Sequence, residues 1–230
     1  MAGSAPLPPS VHDAFRAATG RAVLERYGMT ETVMLVSNPY EGERRAGAVG
    51  FPLPGVEVRF GRDGGKRVDL SAAGTDGEAG EILVRGPNVF RGYWERPASN
   101  VAAFTDGWFR TGDLATVSPD GYITIVGRAK ELIISGGFNV YPREVEEVLA
   151  THPAIADVAV VGMPSQEWGE EVTAFVVVRS GQNEPDRDAL REFCREQLAR
   201  FKLPRRVVII DTLPRNALGK VVKHELRCPP

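Results

Sequence analysis

The sequence predicts a mixed chain of helices and strands, β-rich in its first part and α+β in its second, and three observations carry that expectation. The 230 residues include 25 glycines and 17 prolines, well above the ~12% that the two together usually contribute, so turns and short strands should be plentiful. From Gly47 to Ile125 the pattern is that of half-buried strands. After Gly127 the order becomes strand, helix, strand, strand, helix, strand, which makes a compact α+β module. The length allows one or two domains, at roughly 100–200 residues each. The change of pattern places a boundary near Lys130, giving residues 1–129 and 130–230.

The elements follow in order. Val11, Ala14, Phe15 and Ala18 fall at helical spacing, and Thr19-Gly20 stops the pattern. The short apolar run Ala22-Val23-Leu24 leads into Arg26-Tyr27-Gly28-Met29-Thr30-Glu31-Thr32. Val56, Val58 and Phe60 alternate, as do Ile82 and Val84, and Tyr122 to Val126 is a strand entered by the turn Pro119-Asp120-Gly121. The stretches Gly61 to Gly80 and Gly92 to Thr111 read as turn-rich. Glu131 to Ile134 reads as a strand and Ser135-Gly136-Gly137 as a tight loop. Pro142 opens a helix with Val145, Val148 and Leu149 on one face. Strands follow at Val158 to Val161 and Val172 to Val178. A helix from Asp186 to Phe201 aligns Leu190, Phe193, Cys194, Leu198 and Phe201. Arg206 to Ile210 is the last strand, and Val221 to Arg227 starts a helix that Cys228-Pro229-Pro230 stops.

Composition excludes several classes. Lys and Arg number 28 against 30 Asp and Glu, a formal net charge of −2, so the chain is no polycation built to coat nucleic acid. Two cysteines, Cys194 and Cys228, make no disulfide framework. The three histidines, His12, His152 and His224, have no metal-ligand spacing. No apolar run approaches 18 residues, and Met1 to Pro6 lacks the features of a signal peptide. A cytoplasmic, reducing setting is expected.

Four loops carry candidate chemistry. In Tyr27-Gly28-Met29-Thr30-Glu31 an aromatic can stack on a base and a glycine lets backbone approach a ligand. The hydroxyl can bond a phosphate and the carboxylate can hold Mg²⁺; a turn before a helix capped by Thr30 is the alternative. In Arg110-Thr111-Gly112-Asp113-Leu114 the carboxylate can accept from a ribose diol, or simply form an Asx-type turn. In Gly127-Arg128-Ala129-Lys130-Glu131, followed by Ser135-Gly136-Gly137-Phe138-Asn139, paired glycines and a planar guanidinium suit a phosphate or ribose, or a β-hairpin. In Pro214-Arg215-Asn216-Ala217-Leu218-Gly219-Lys220 a lone lysine follows a glycine without the spacing of a Walker loop, and a solvated surface lysine is the alternative.

Taken together, in this order and spacing, the four loops resemble the adenylate-forming superfamily of acyl-CoA synthetases, nonribosomal-peptide adenylation domains and luciferases. The resemblance covers essentially the whole chain and is highly specific. Glu25 to Thr32, followed by Ser37-Asn38-Pro39-Tyr40-Glu41-Gly42, looks like the malonyl-CoA synthetase branch in particular. The resemblance implies an α/β fold for the first part, the C-terminal portion of a large AMP-binding domain with a β-rich subdomain from Gly47 to Gly127, then a small α+β domain hinged at Lys130. It implies an ATP-dependent ligase in which a carboxylate attacks the α-phosphate and the acyl-adenylate is passed to coenzyme A. Lys220 should bridge carboxylate and phosphate. Glu31 should hold Mg²⁺, Thr30 bond a phosphate, and Tyr27, beside Gly28, stack on adenine. Gly3, Ser4 and Ala5 resemble the adenine-side loop. Asp113 should hold the ribose hydroxyls, helped by Arg128. Ser135, Gly136, Gly137 and Phe138 should reach the pantetheine channel. Seven basic residues between Arg200 and Lys223 suit the coenzyme A phosphates, or form a solvated basic rim. Arg26 stands where many relatives have glycine at the floor of the acyl pocket. Its fork suits a second carboxylate, and a structural pairing with a local acid is the alternative.

The resemblance sets two departures from the family as expectations, a late start and an early end at the helix that Cys228-Pro229-Pro230 stops. The N-terminal Ser/Thr/Gly-rich phosphate loop ending in Pro-Lys does not occur in the chain. The expectation is a truncated chain missing an N-terminal half and its partner sheets, unable by itself to catalyse pyrophosphate exchange. Residues 1–129 should expose apolar edges, and residues 131–230 should be able to fold alone. The alternatives are a non-catalytic nucleotide-binding fragment and an adenylation domain loading a carrier protein. The second is disfavoured because such domains usually have proline where Met29 stands.

Overall fold

The computed structural model describes residues 1–3, 7–61, 67–68, 79–217 and 219–227. Ser4, Ala5, Leu218, Cys228 and most of the Gly61 to Gly80 stretch lie outside them. The chain divides into two compact units, Met1–Ala129 and Lys130–Pro230.

In the first unit, α1 (Pro9–Thr19) starts at a proline and ends at Gly20, whose φ of +70° closes the helix with a hydrogen bond to Arg16 O. Its expected apolar stripe is not its buried side. Val11 and Phe15 are exposed, and His12 is the buried residue of the helix. Pro9 fixes this rotation: it lies against Gly47, 3.3 Å from where a Cβ would be, and residue 12 shares the face of residue 9. Three two-residue strands, β1 (Arg26–Tyr27), β2 (Val36–Ser37) and β3 (Phe51–Pro52), form a small antiparallel sheet in that order.

A six-stranded sheet follows. It comprises β4 (Glu57–Gly61), β5 (Arg67–Val68), β6 (Gly80–Arg85), β7 (Phe104–Thr105), β8 (Trp108–Val117) and β9 (Ile123–Arg128), in the order β5-β4-β6-β8-β7 with β9 also pairing β8. Between β6 and β7 lies α2 (Pro97–Ala103). Gly92 to Thr111, expected to be turns, thus contains a helix, a short strand and the start of a long one. Phe104 and Phe109 are cross-strand partners that close an aromatic cluster with Phe90, a contact that local composition does not announce. The core is Leu35, Val36, Val58, Phe60, Ile82, Val84, Phe109, Ala115, Val117 and Ile123.

In the second unit, β10 (Ile133–Ser135) and β11 (Phe138–Val140) form a hairpin. Gly136 and Gly137 are its two loop residues, with φ of +59° and +83°, as a primed turn requires. Then come α3 (Pro142–Leu149), β12 (Ile155–Ser165), β13 (Gly169–Val178), α4 (Arg187–Arg195) and β14 (Arg206–Ile209). Strand β13 pairs antiparallel with β12 and parallel with β14. It reads as a continuous apolar run because both its faces are covered. Val172, Ala174 and Val176 pack with Val145, Leu149, Leu190 and Cys194, while Phe175 packs with Leu213, Val208 and Leu226. Helix α4 is capped by Asp186, whose side chain accepts from Asp188 N. It stops at Arg195, short of the expected Phe201; Arg200–Lys202 is a separate 3₁₀ turn. Lys223–Glu225 is likewise a single 3₁₀ turn. No helix among the described residues is long and apolar enough to cross a membrane.

Candidate active site

In the first unit the site is built on a bulge. Leu83 pairs with Arg110 and Glu81 with Leu114, so Thr111, Gly112 and Asp113 stand opposite Ile82 alone. Gly112 takes a φ of +71° to absorb the excess. Thr111 Oγ1 donates to Ile82 O at 2.9 Å and accepts from Asp113 N at 3.1 Å. The Thr-Gly-Asp segment is therefore a bulge within a strand, a device that aims a side chain. Asp113 is 4% exposed. Across the β8–β9 ladder it stands opposite Arg128, whose Nε lies 2.7 Å from Asp113 Oδ1. The Tyr27 hydroxyl donates to Asp113 Oδ2 at 2.6 Å. Burial, then the Asp113 charge, push the Tyr27 phenol well above the usual tyrosine range, so it stays protonated and remains a donor.

After Tyr27 the chain turns back on itself. Leu35 N donates to Tyr27 O at 3.0 Å, and no helix follows Thr30. A Cβ on Gly28 would meet Val33 O at 1.9 Å, so the close approach requires glycine. Thr30 is exposed on the turn. Glu31 Oε1 accepts from the Tyr93 hydroxyl at 3.0 Å, and burial together with this bond raises the Tyr93 phenol. The segment after β6 grips the turn: Phe90 N donates to Glu31 O, and Asn88 Nδ2 to Thr32 O and Met34 O. Arg26 is exposed on β1 with no ion-pair partner among the described residues, and Gly3 lies beside its side chain. The Ser37 to Gly42 stretch is a structural clamp. Asn38 is buried and bonds Glu25 O and Ala48 O, and Arg44 donates to the carbonyls of Pro39, Ala22 and Tyr40.

In the second unit Ser135 is buried, and its Oγ has no hydrogen-bond partner among the described residues. Phe138 is exposed and stacks on Phe201 with centroids 4.6 Å apart. Gly136 lies under Trp168, on whose ring Arg205 stacks at 3.6 Å. Lys130 is exposed in a 3₁₀ turn at the start of the unit. Lys220 is exposed, without an ion-pair partner among the described residues. The expected basic patch is mostly paired internally. Lys202 binds Glu144, Arg206 binds Glu171, Arg215 binds Asp157 and Lys223 binds Glu146. Within each unit the structure brings together Tyr27, Asp113 and Arg128, Gly3 and Arg26, and Ser135 to Phe138. Glu31's partner Tyr93, Trp168 and Asp157 were not foreseen, and no motif marks them; Thr111 lies inside the Arg110 to Leu114 motif, but its part in holding the bulge was not foreseen.

The AMP-binding enzyme model matches residues 1–94, and the AMP-binding enzyme C-terminal domain model matches residues 144–220. The chain belongs to the AMP-binding enzyme family. It is 43% identical over 242 residues to the mitochondrial malonate–CoA ligase of Bos taurus, covering 98% of this chain and 41% of that protein. It is 40% identical over 228 residues to a long-chain-fatty-acid–CoA ligase of Yersinia pestis, covering 99% and 39%. The crystal structure of ATP-bound MatB from Rhodopseudomonas palustris superimposes with a TM-score of 0.89 at 46% identity, covering 96% of this chain and 43% of that one. The chain spans about two fifths of the length of the curated relatives it matches. Relatives at 43% and 40% identity carry different acyl names, so overall similarity does not choose the acid.

For an AMP-binding enzyme the chemistry of the first unit is apt. Asp113 is a buried carboxylate held on both oxygens, by Tyr27 and by Arg128. Among the described residues no three His, Cys, Asp or Glu side chains gather for a metal. Glu31, with Oε2 unpartnered among the described residues, suits Mg²⁺ as a single carboxylate completed by water and phosphate, the manner in which Mg²⁺ is usually held.

Proposed function

We propose that this chain supplies the nucleotide-holding and lysine-bearing parts of an AMP-forming acyl-CoA ligase acting on a small dicarboxylic acid, malonate by preference. The observation that carries the reading is the Asp113 carboxylate, aimed by a bulge and bracketed by Tyr27 and Arg128. In this reading Asp113 accepts from the ribose hydroxyls while Tyr27 offers its ring face to adenine, with Gly3, Ser4 and Ala5 on the adenine side and Gly28 giving backbone access. Thr30 bonds a phosphate. Glu31 holds Mg²⁺, which when bound screens the phosphate charge. Lys220 places its ammonium between the two anions that must meet, the carboxylate and the α-phosphate; preorganised charge of this kind is worth ~2.7–4 kcal/mol. Arg26 receives the second carboxylate in a bidentate pair. In the second unit the Gly136-Gly137 turn, the unpartnered Ser135 hydroxyl and exposed Phe138 face the pantetheine of coenzyme A, and Lys130 is the hinge between half-reactions. A reducing, cytosolic setting belongs to the same reading.

The test joins this chain to the N-terminal region of the Rhodopseudomonas palustris protein and measures ATP–pyrophosphate exchange. Exchange driven by malonate and not by palmitate is expected. Exchange with no acid overturns the ligase reading, and preference for palmitate overturns the choice of acid alone.

A further inference from the structure

We propose that Asp157, acting through Arg215, is a positioning residue that presents Lys220. The proposal rests on the reading that Lys220 carries the charge between carboxylate and phosphate. Arg215 uses both arms of its guanidinium. Nη2 bonds Asp157 Oδ2, and Nη1 donates to Gly219 O at 2.6 Å. It therefore ties β12 to the backbone immediately before Lys220.

The rest of the loop closes around the same point. Asn216 N donates to Lys220 O at 2.9 Å, Lys220 N donates to Asn216 Oδ1 at 3.0 Å, and Gly219 N donates to Asn216 O at 2.9 Å. Arg215 and Val221 form an antiparallel bridge beneath them. Gly219 has a φ of +79°, which a side chain would resist. Both backbone groups of Lys220 are thus fixed while its ammonium stays exposed and unpaired among the described residues. A charge that must be delivered to one place needs this division, since a misplacement of about 1 Å can cost on the order of 10²-fold in rate.

Asp157 is itself held. The β12–β13 register shifts between Ile155 and Asp157, and Asp157 Oδ1 accepts from Val158 N at 3.0 Å, leaving Oδ2 for Arg215. The loop's flanks are anchored in a second small core, where Leu213, Val221 and Leu226 pack with Ala159, Phe175 and Val208. An isolated surface ion pair contributes little. This one differs because the same guanidinium also holds the backbone carbonyl next to the lysine.

The experiment has two arms. In the 230-residue chain, hydrogen exchange is followed for Asp157→Ala, Arg215→Ala and Asp157→Glu. Protection at the Gly219 and Lys220 amides should fall at least ~10-fold in the first two, while the Val172 and Ala174 amides of β13 keep theirs as the control against unfolding. Asp157→Glu should recover most of the protection. In the joined enzyme, Asp157→Ala should lower adenylate formation and spare thiol transfer from supplied malonyl-adenylate. Unchanged protection at Lys220, or equal loss in both half-reactions, overturns the proposal. If Lys220→Ala leaves adenylate formation intact, the reading of Lys220 fails. If Lys220→Ala cripples adenylate formation while Asp157→Ala does not, only the positioning role fails.

Discussion

Tyr27 and Asp113 lie 86 residues apart in sequence, and the hydroxyl of one donates a 2.6 Å hydrogen bond to the carboxylate of the other. The bond links the three-stranded sheet to the six-stranded one through a carboxylate that is 4% exposed. Tyr27→Phe keeps the ring and removes the donor, leaving a buried acceptor short of a partner, at a cost of about 1–3 kcal/mol. Denaturant unfolding of the first unit should show that loss. The pH dependence has a definite sign. The Tyr27 phenol is raised in the folded chain, so its contribution is complete below the unfolded tyrosine value near 10 and declines as pH rises above it. The stability gap between the parent and Tyr27→Phe should be constant up to about pH 10 and narrow beyond it. A gap that is the same at pH 8 and pH 11 counts against the bond.

Gly28 and Val33 are coupled by the same turn. Val33, β-branched and exposed, has a φ of +58°, a conformation that costs such a residue on the order of 1–3 kcal/mol. Val33→Gly or Val33→Asn should raise stability by ~1 kcal/mol, seen as a higher Tm. Gly28→Ala should do the reverse and more, because its Cβ has no space beside Val33 O. A Tm that is unmoved by Val33→Gly means the strain is absent.

Much of this was legible from local pattern. The strands around Val58, Ile82, Ile123, Val160 and Val176, the helix from Pro142 and the Gly136-Gly137 turn all follow from apolar period and turn chemistry. Non-local features were not. The Thr111 to Asp113 bulge exists because Ile82 alone stands opposite three residues. Strand β8 begins at Trp108 because Phe109 finds Phe90 and Phe104. The α1 stripe pointed the wrong way because a Pro9–Gly47 contact, not periodicity, sets the rotation. The motif residues were recognisable from the resemblance, whereas Tyr93 and Asp157 act on motif residues from distant segments and carry no spacing signal. The pairing within the basic run from Arg200 to Lys223 was not legible because its acids, Glu144, Glu146, Asp157 and Glu171, lie elsewhere in the sequence.

Lys220 is exposed and unpaired among the described residues, so its removal should not disturb the fold. Lys220→Ala should leave the Tm of the chain unchanged. In the joined enzyme it should lower adenylate formation by on the order of 10²–10³, the scale of one preorganised charge. Thiol transfer from supplied malonyl-adenylate should survive better, since no carboxylate–phosphate bond is being made there. Equal loss in the two half-reactions refutes the assignment.

In the proposed reading, specificity rests on Arg26. Malonate carries two carboxylates. One must reach the α-phosphate beside Lys220, and the other must be received elsewhere, because a buried carboxylate without a partner is prohibitively costly. Arg26 adjoins Tyr27 in the sequence, and its guanidinium has no ion-pair partner among the described residues. Its planar fork can take a carboxylate through two parallel hydrogen bonds. Other features of the malonate-like stretch offer no such group: Asn38 and Arg44 are spent on backbone carbonyls. Arg26→Gly in the joined enzyme should therefore lower kcat/KM for malonate by an amount equivalent to ~2–4 kcal/mol, the scale of unpairing a buried charge. Propionate and butyrate, which bring no second charge, should lose little or gain. Because Arg26 is exposed in the unliganded chain, the substitution should leave the Tm in place and so separate specificity from folding. If malonate and butyrate turnover fall by the same factor, Arg26 is a structural residue, and the preference for a dicarboxylic acid loses its physical basis.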